Sequence, residues 1–258
     1  ANTGEELFAF VAADGGSYDW YGRSVAVSEQ YAVVGAPCWD GPGYTTCGAV
    51  YVYDTVTGDQ IHQLTADDLA MGDRFGFALD IQGDRLAVGS YWGGDDGDAG
   101  AVYVFDLVTG EQLSRMVAQP AIGGGDNLGS SVALHDNFVL AGATQQTYGT
   151  ELEGFACLFD WTTGAELLRL AASDGHNDDA FGRSVAFDGN CALVGADMDD
   201  SGGINAGSAY IYQPIQFETA VREDMISSSP LFLQNYPNPF NPSTEIRLSL
   251  PVDLIVDL

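Results

Sequence analysis

The chain has 258 residues, 8 of them basic and 37 acidic, which gives a formal net charge of −29. Hydrophobic residues make up 46% of the chain, so there is enough apolar material for a core and wholesale disorder is excluded. All eight basic residues are arginines, and a surface this acidic cannot bind nucleic acid or anionic lipid through phosphate contacts. No run of 18 apolar residues occurs, so we expect no membrane insertion.

Three sequence markers recur with one period of about 53 residues, which is a signature of a repeat architecture. The first marker is a glycine that usually follows an aromatic residue: Gly22, Gly76, Gly129 and Gly182. The second is the glycine of a VGA-type step: Gly35, Gly89, Gly142 and Gly195. The third is a strand-like run, YVYD at 51–54, YVFD at 103–106, CLFD at 157–160 and YIYQ at 210–213. The chain therefore contains four structural repeats.

Each repeat reads as four short β-strands joined by turns. In the second repeat the runs GFALDI, RLAVGS, AVYVFD and EQLSRMVA are rich in β-branched and aromatic residues and are separated by Gly/Asp/Thr segments. Helix-period patterns are missing, which disfavours a helical solenoid. Four strands per unit predict an all-β fold of the β-propeller class, with four blades.

The first strand-like run suggests how the array closes. TGEELFAFVAA at 3–13 matches TGDQIHQLTA at 57–66, which reads as the fourth strand of a blade. The last repeat stops after its third strand, at residue 213. We therefore predict that residues 5–12 pair with residues 207–213 and close the ring, since closure hides both sheet edges. The alternative is that the four repeats are an excerpt of a longer ring.

The repeats resemble a known family. DRFGFALDIQGDRLAVGS, AFGRSVAFDGNCALVGA and WYGRSVAVSEQYAVVGA are similar to FG-GAP repeats, the blades of integrin α-chain propellers and of many bacterial surface proteins. The resemblance covers residues 1–213, with Leu128 and Ala141 as departures in the third repeat. It implies an extracellular propeller of binding or adhesive type. The integrin-like ring has seven blades where four are counted here.

A second resemblance follows the propeller. LFLQNYPNPFNPSTEIRLSLP at 231–251 is similar to the start of the C-terminal sorting domain of the bacterial type IX secretion system. It implies that a bacterial cell exports the protein to its surface or beyond. Residues 231–258 are then a truncated sorting domain and residues 214–230 a linker; the alternative is that the whole stretch is a Pro/Asn-rich extended segment.

Two acidic loops between second and third strands are candidate calcium sites. Closely spaced carboxylates on a flexible turn supply the oxygen ligands that calcium prefers, and blades of the resembled type also hold calcium in aspartate-rich loops. The alternative is that these loops are merely solvated. The candidate ligands lie in GGDDGDAG and DMDDSG: Asp95, Asp96, Asp98, Asp197, Asp199 and Ser201.

A different aspartate series has a structural interpretation. Asp19, Asp73, Asp126 and Asp179 each stand three residues before the first marker glycine. A carboxylate at a fixed turn position accepts backbone N–H bonds and fixes the entry to the following strand. We expect these residues to be structural.

The cysteines give one predicted bridge. Cys38 and Cys47 bracket the loop CWDGPGYTTC, and a disulfide there would fit an oxidising compartment. Cys157 and Cys191 lie in strand-like runs and are expected to be buried free thiols.

No catalytic set emerges from the sequence. His62, His135 and His176 occupy non-equivalent positions, and no nucleophile elbow, HExxH motif or phosphate-binding loop occurs. We predict a non-enzymatic binding or structural module whose partner is a protein or glycan at the cell surface. The second reading is a glycan-binding propeller in which Trp39 and Trp92 stack on sugar, and the third is a secreted hydrolase. The sequence leaves the oligomeric state open.

Overall fold

The computed structural model describes residues 4–92, 100–119, 126–144 and 154–213, together with the backbone of two short strands further along the chain. The described part is all-β. Its strands are β1 Ser24–Val27, β2 Tyr31–Ala36, β3 Ala49–Asp54, β4 Gln60–Leu64, β5 Phe75–Gln82, β6 Arg85–Ser90, β7 Ala101–Asp106, β8 Gln112–Met116, β9 Leu128–His135, β10 Phe138–Ala143, β11 Phe155–Asp160, β12 Ala165–Leu170, β13 Phe181–Phe187, β14 Ala192–Ala196, β15 Ser208–Tyr212, β16 Gln234–Tyr236 and β17 Glu245–Arg247.

The strands form four meandering antiparallel sheets in chain order. Sheet 1 contains β1–β4, sheet 2 β5–β8, sheet 3 β9–β12 and sheet 4 β13–β15; β16 and β17 make a separate pair. The predicted all-β fold with blade-like sheets is confirmed. The predicted linker at 214–230 lies outside the described residues, and so does most of 231–258.

The turn after each third strand explains the recurring Asp and Thr-Gly. The Asp54 carboxylate accepts hydrogen bonds from the backbone N–H groups of Val56 and Thr57, both at 2.8 Å. Gly58 completes the turn with a φ of +75°, a backbone conformation that glycine adopts without strain. Asp106 accepts the equivalent bonds from Val108 and Thr109 in the turn between β7 and β8 of sheet 2, at 2.8 and 3.2 Å.

Consecutive sheets pack face to face. We call the face of a sheet that contacts the next sheet its leading face, and the opposite face its trailing face. Val33 and Val52 on the leading face of sheet 1 share a buried cluster with Val88 and Tyr103 of sheet 2. Equivalent clusters join sheet 2 to sheet 3 and sheet 3 to sheet 4. The third strand is therefore apolar on both faces.

Two of the sequence markers meet at each junction between sheets. Among the VGA-type glycines, a Cβ on Gly35 would overlap the carbonyl oxygen of Gly76, and one on Gly142 would overlap that of Gly182. Gly89 is related to Gly129 in the same way. Glycine is required because the backbones of neighbouring sheets approach too closely for any side chain.

The expected ring closure is not formed. Residues 5–12 are not in a strand, and sheet 4 has three strands in the described part of the chain. Gly195 meets no neighbouring sheet, and nothing described lies within 4 Å of a Cβ on Gly22. The strands β1, β5, β9 and β13 follow one another side by side, without comparable contact from β13 back to β1. The described array is therefore open: three junctions join its four sheets, and no comparable junction joins the last sheet to the first.

The N-terminal segment lies on the trailing face of sheet 1 instead. The ring of Phe10 stacks on Tyr53 with 4.2 Å between centroids, and Phe8 contacts the position of Gly58. Ala12 packs on the same buried cluster. These residues cover the apolar face that a preceding sheet would otherwise occupy.

Candidate ligand-binding site beside the central cavity

The first strands of all four sheets line one cavity of about 330 Å³. Four equivalent positions, each directly after a marker glycine, face it: Arg23, Phe77, Ser130 and Arg183. Serines and apolar residues of the same strands form the rest of its wall. The repeat therefore brings one variable position from each sheet to a common space.

Arginines and aromatic rings form a continuous surface from this cavity toward the loops of sheets 1 and 2. We call this surface the arginine–aromatic patch: Trp20, Arg23, Arg74, Phe77, Tyr91 and Trp92. The Arg23 guanidinium carbon lies 4.5 Å from the centroid of Phe77, whose ring is 4.3 Å from that of Tyr91. The Arg74 guanidinium carbon is 4.2 Å from the ring of Trp92 and 5.9 Å from that of Trp20.

The arginines of the patch differ from the others whose side chains are described. Arg85, Arg115 and Arg169 each pair with a carboxylate at 2.6–2.8 Å. Arg74 instead donates a hydrogen bond from Nη1 to Tyr91, and its Nε is buried without a partner among the described residues. Stacking on several rings leaves the guanidinium edge available to an acceptor on a ligand.

Backbone geometry supports a special role for two patch residues. Trp20 and Arg74 have φ values of 57° and 55°, and Asn127 and Ala180 at the equivalent positions both have 57°. Non-glycine residues adopt this region at a cost and are found there mainly at turns and functional sites. The framework fixes this conformation in all four sheets while the side chain varies, from the buried Asn127 and Ala180 to the half-exposed Trp20.

The two tryptophans predicted to stack on sugar have different environments. Trp39 is half-buried on the trailing face of sheet 1, and its Nε1 donates to the Asp14 carboxylate at 3.1 Å. Trp92 is 39% exposed and belongs to the patch, where its neighbours are Arg74 and Trp20. The structure does not bring Trp39 to Trp92.

The residues of the patch other than Trp92 were missed from the sequence. Trp20 and Arg74 stand two residues before a marker glycine, where the other repeats have Asn127 and Ala180. Variation at one position inside an otherwise regular repeat was the signal that could have identified them.

The predicted calcium ligands are only partly described. Asp95, Asp96 and Asp98 lie outside the described residues. In the other loop, the Asp199 carboxylate accepts hydrogen bonds from Ser201 N at 2.6 Å and from Tyr210 Oη at 2.7 Å. Burial opposes the charge of Asp199, but these hydrogen bonds hold its pKa below the ordinary value. Asp197 turns toward Arg183, with 3.8 Å between Oδ2 and Nε.

Within the described ranges, no three acidic, histidine or cysteine side chains converge to hold a metal ion. In the loop at 197–201, Asp199 and Asp200 accept local turn bonds while Asp197 lies near Arg183. Calcium binding stays a prediction for this protein.

The predicted Cys38–Cys47 bridge is not formed. Both residues are free thiols, and Cys47 Sγ lies 3.4 Å from the Trp39 carbonyl oxygen, inside the loop that it was expected to close. Burial raises the pKa of both thiols. Of the other two, Cys157 is a buried free thiol as expected, while Cys191 is free but only half-buried.

The structural interpretation of the aspartates before the marker glycine is confirmed for Asp19, Asp73 and Asp179. Asp73 and Asp179 are buried and accept backbone N–H bonds from Ala70 and His176, both at 2.6 Å. Asp19 makes the same bond to Gly16 N at 2.5 Å. These carboxylates close the loop that enters each first strand.

Comparison with known proteins agrees with this architecture. The model of the FG-GAP repeat family matches residues 6–53, 59–105 and 165–212, which is more than half of the chain. Each match begins with a fourth-strand sequence and ends with the third strand of the following sheet. The first three strands of sheet 3 are not matched, although their fold is the same. No curated protein is found to match the chain, and no described helix is long and apolar enough to cross a membrane. The chain belongs to the FG-GAP repeat family, and its sheets are β-propeller blades.

Proposed function

We propose that this protein is a non-enzymatic binding module of an exported bacterial surface protein, and that it takes its ligand on the arginine–aromatic patch. FG-GAP repeats are typical of extracellular β-propeller modules, most of them without catalytic activity. The sorting-domain resemblance at 231–251 supports export through the type IX system. Adhesion to a partner on another surface is the role that such a module serves.

The observation that carries the proposal is the contact of the Arg74 guanidinium with the rings of Trp92 and Trp20. The Trp20 and Trp92 side chains are 48% and 39% exposed, so part of each ring faces solvent. Partly exposed aromatic rings next to a cation are typical of binding hot spots, the residues that contribute most of the binding energy. In a chain with 37 acidic residues, a cluster of arginines that pairs with no carboxylate among the described residues is a local exception that favours an acidic ligand.

A glycan is the second candidate ligand, and the same tryptophans favour it. Sugar rings stack their C–H faces on aromatic side chains, and an arginine edge binds a sugar carboxylate bidentately. An acidic glycan therefore satisfies both components of the patch, whereas an acidic peptide uses the arginines and leaves the tryptophan faces less completely covered.

A glycan array that includes neutral and acidic sugars tests this directly. We expect binding of acidic glycans that weakens at high salt and falls at least tenfold in Arg74→Ala. Arg85→Ala is the matched control, because Arg85 pairs with Asp106 on the opposite end of its sheet and touches no patch ring. An equal loss of glycan binding in both variants, or glycan binding that neither substitution changes, contradicts the assignment of the patch as the binding site. If the protein binds an acidic protein and no glycan, it is still a binding module, but its ligand is not a glycan.

A further inference from the structure

The leading face of sheet 4 is apolar and uncovered. Leu193 and Ile211 are 46% and 58% exposed, while Val33 and Val52 at the equivalent positions of sheet 1 are 1% and 0% exposed. In sheet 3 the equivalents Leu140 and Leu158 are completely buried. Such residues are buried wherever a following sheet is present, so this face is built to contact another sheet.

The N-terminal segment supplies the complementary half of that contact. Phe8 lies against Gly58 of sheet 1 just as His62 of β4 lies against Gly110 of sheet 2. The Asp14 carboxylate accepts a hydrogen bond from Tyr51 at 2.8 Å, and Asp68 accepts one from Tyr103 at 3.0 Å.

Residues 5–12 therefore occupy, on sheet 1, the position that a fourth strand of a preceding sheet takes. In sheet 4, no fourth strand is described beside β15. Ile211 of β15 stays exposed on the leading face of this sheet. One end of the described array presents three strands of a blade, and the other end presents the fourth.

The hydrogen-bonding groups at the two ends of the described array are complementary in the same way. Ser24 Oγ donates to the Gly76 carbonyl at 2.6 Å, and Ser131 Oγ to that of Gly182 at 2.8 Å. Ser184 is the equivalent residue of sheet 4, and its hydroxyl makes no such bond among the described residues. By equivalence, the group that it lacks is the carbonyl of Gly22, the one glycine of the first marker series that meets no neighbouring sheet among the described residues.

We propose that a second copy of this chain completes the blade: β15 and the leading face of sheet 4 in one copy dock on residues 5–12 and sheet 1 of the next. By equivalence with the pairs Val52–His62 and Val50–Leu64, Ile211 faces Phe8 and Ala209 faces Phe10 across this contact. Backbone hydrogen bonds of β-strand addition provide the pairing, and the apolar face provides the affinity.

A second copy fits better than closure within one chain for a physical reason. Sheets 1 and 4 share no junction comparable with the other three in the described part of the chain, and closing the ring internally would have to change the packing at those buried junctions. A second copy needs no such change. The contact is head to tail, so it closes only if the rotation between copies allows it. The proposal does not depend on the ligand patch.

Light scattering on the purified 258-residue chain tests association. We expect the mass to rise with concentration to multiples of 27.3 kDa, and more readily at higher salt, because each copy carries a net charge of −29. Ile211→Asp should hold the protein as a monomer. Val108→Asp, at a residue 61% exposed in the turn after β7, is the matched control and should associate normally. A monomer at every concentration, or association that survives Ile211→Asp, overturns the proposal.

Disulfide trapping tests the register and separates the two modes of closure. Phe8→Cys and Ile211→Cys are prepared as separate chains, mixed and oxidised, so a link between positions 8 and 211 forms only between copies. Mass spectrometry of the peptides distinguishes this link from those of the four native thiols. Efficient 8–211 linkage, without linkage of Phe8→Cys to Val108→Cys, supports the proposal. No 8–211 link in the mixture, combined with a link inside a single chain that carries both substitutions, overturns it.

Discussion

The glycines at the sheet junctions give the sharpest test of the architecture. Gly142 and Gly195 occupy equivalent positions in sheets 3 and 4, and a Cβ on either would press on the hydroxyl of a serine in its own sheet, Ser131 or Ser184. Only at Gly142 would the Cβ also overlap a backbone group of the next sheet, the Gly182 carbonyl. The serine can rotate away, whereas the carbonyl is held in a strand.

The expected magnitudes follow from that difference. Overpacking a buried contact costs about 1–3 kcal/mol, and the Gly142→Ala overlap is with backbone, so about 3 kcal/mol of destabilisation is expected. At Gly195 the reduced freedom of the unfolded chain offsets the serine contact, since Gly→Ala alone gains about 0.4–1 kcal/mol. We therefore expect Gly195→Ala to be within about 0.5 kcal/mol of the parent protein in free energy of unfolding.

Thermal and urea unfolding by circular dichroism, at a concentration where the chain is monomeric, measures both variants. For a domain of this size, about 3 kcal/mol corresponds to a fall in Tm of about 6–12 °C for Gly142→Ala, against little change for Gly195→Ala. Equal destabilisation of the two would show that Gly195 also faces a neighbouring sheet, and hence a ring closed within the monomer. Stability unchanged in both would contradict the glycine-to-glycine packing of the sheets.

Three further predictions concern ions, protons and thiols. Millimolar calcium is expected to raise the Tm, and a chelator is expected to remove the gain. An ion bound only by the folded chain adds about 2.7 kcal/mol to the free energy of unfolding at a hundredfold excess over Kd. An unchanged Tm at fixed ionic strength would show that the acidic loops are solvated turns. Burial opposes the charge of Asp14, but hydrogen bonds from Tyr51 and from neighbouring side chains hold its pKa below 3.8. Its carboxylate therefore stabilises the fold above pH 3.8, and this contribution is lost as the pH falls through the lower folded pKa. Asp14→Asn should be less stable near neutral pH and lose less stability on acidification, and parallel pH curves would disprove this. Iodoacetamide should modify Cys38 in the native protein and Cys47 only after unfolding. Recovery of a Cys38–Cys47 disulfide peptide would show instead that the two residues form the bridge.

The repeat in the sequence was sufficient for the fold class. Turn residues such as Asp54 and Gly58, and glycines such as Gly142, recur because local geometry and close backbone approach dictate them at each copy. The turn constraint acts within one repeat and the glycine constraint acts between neighbouring sheets. Both occur once per repeat, so comparison of the repeats reveals them. The aspartates before the marker glycine were interpreted correctly for the same reason, since their partners lie three residues away.

The cysteine loop shows where a local pattern misleads. Cys38 and Cys47 are near in sequence, but the loop packs on sheet 1 and the Cys47 thiol is buried between Trp39 and Gly41. The direction of a side chain at the end of a loop depends on what the loop packs against, which spacing alone does not encode.

The sequence by itself determined the strands, the presence of four repeats and the turn residues that recur in them, because these depend on backbone turns and on alternation within one sheet. Only the tertiary structure decided which side chains of different repeats meet. Trp20, Arg74 and Trp92 come together across two sheets, and the last described sheet makes no junction with the first, because both facts depend on how sheets pack on one another and not on any one strand. That packing involves residues of different repeats, so no pattern within a single repeat contains it.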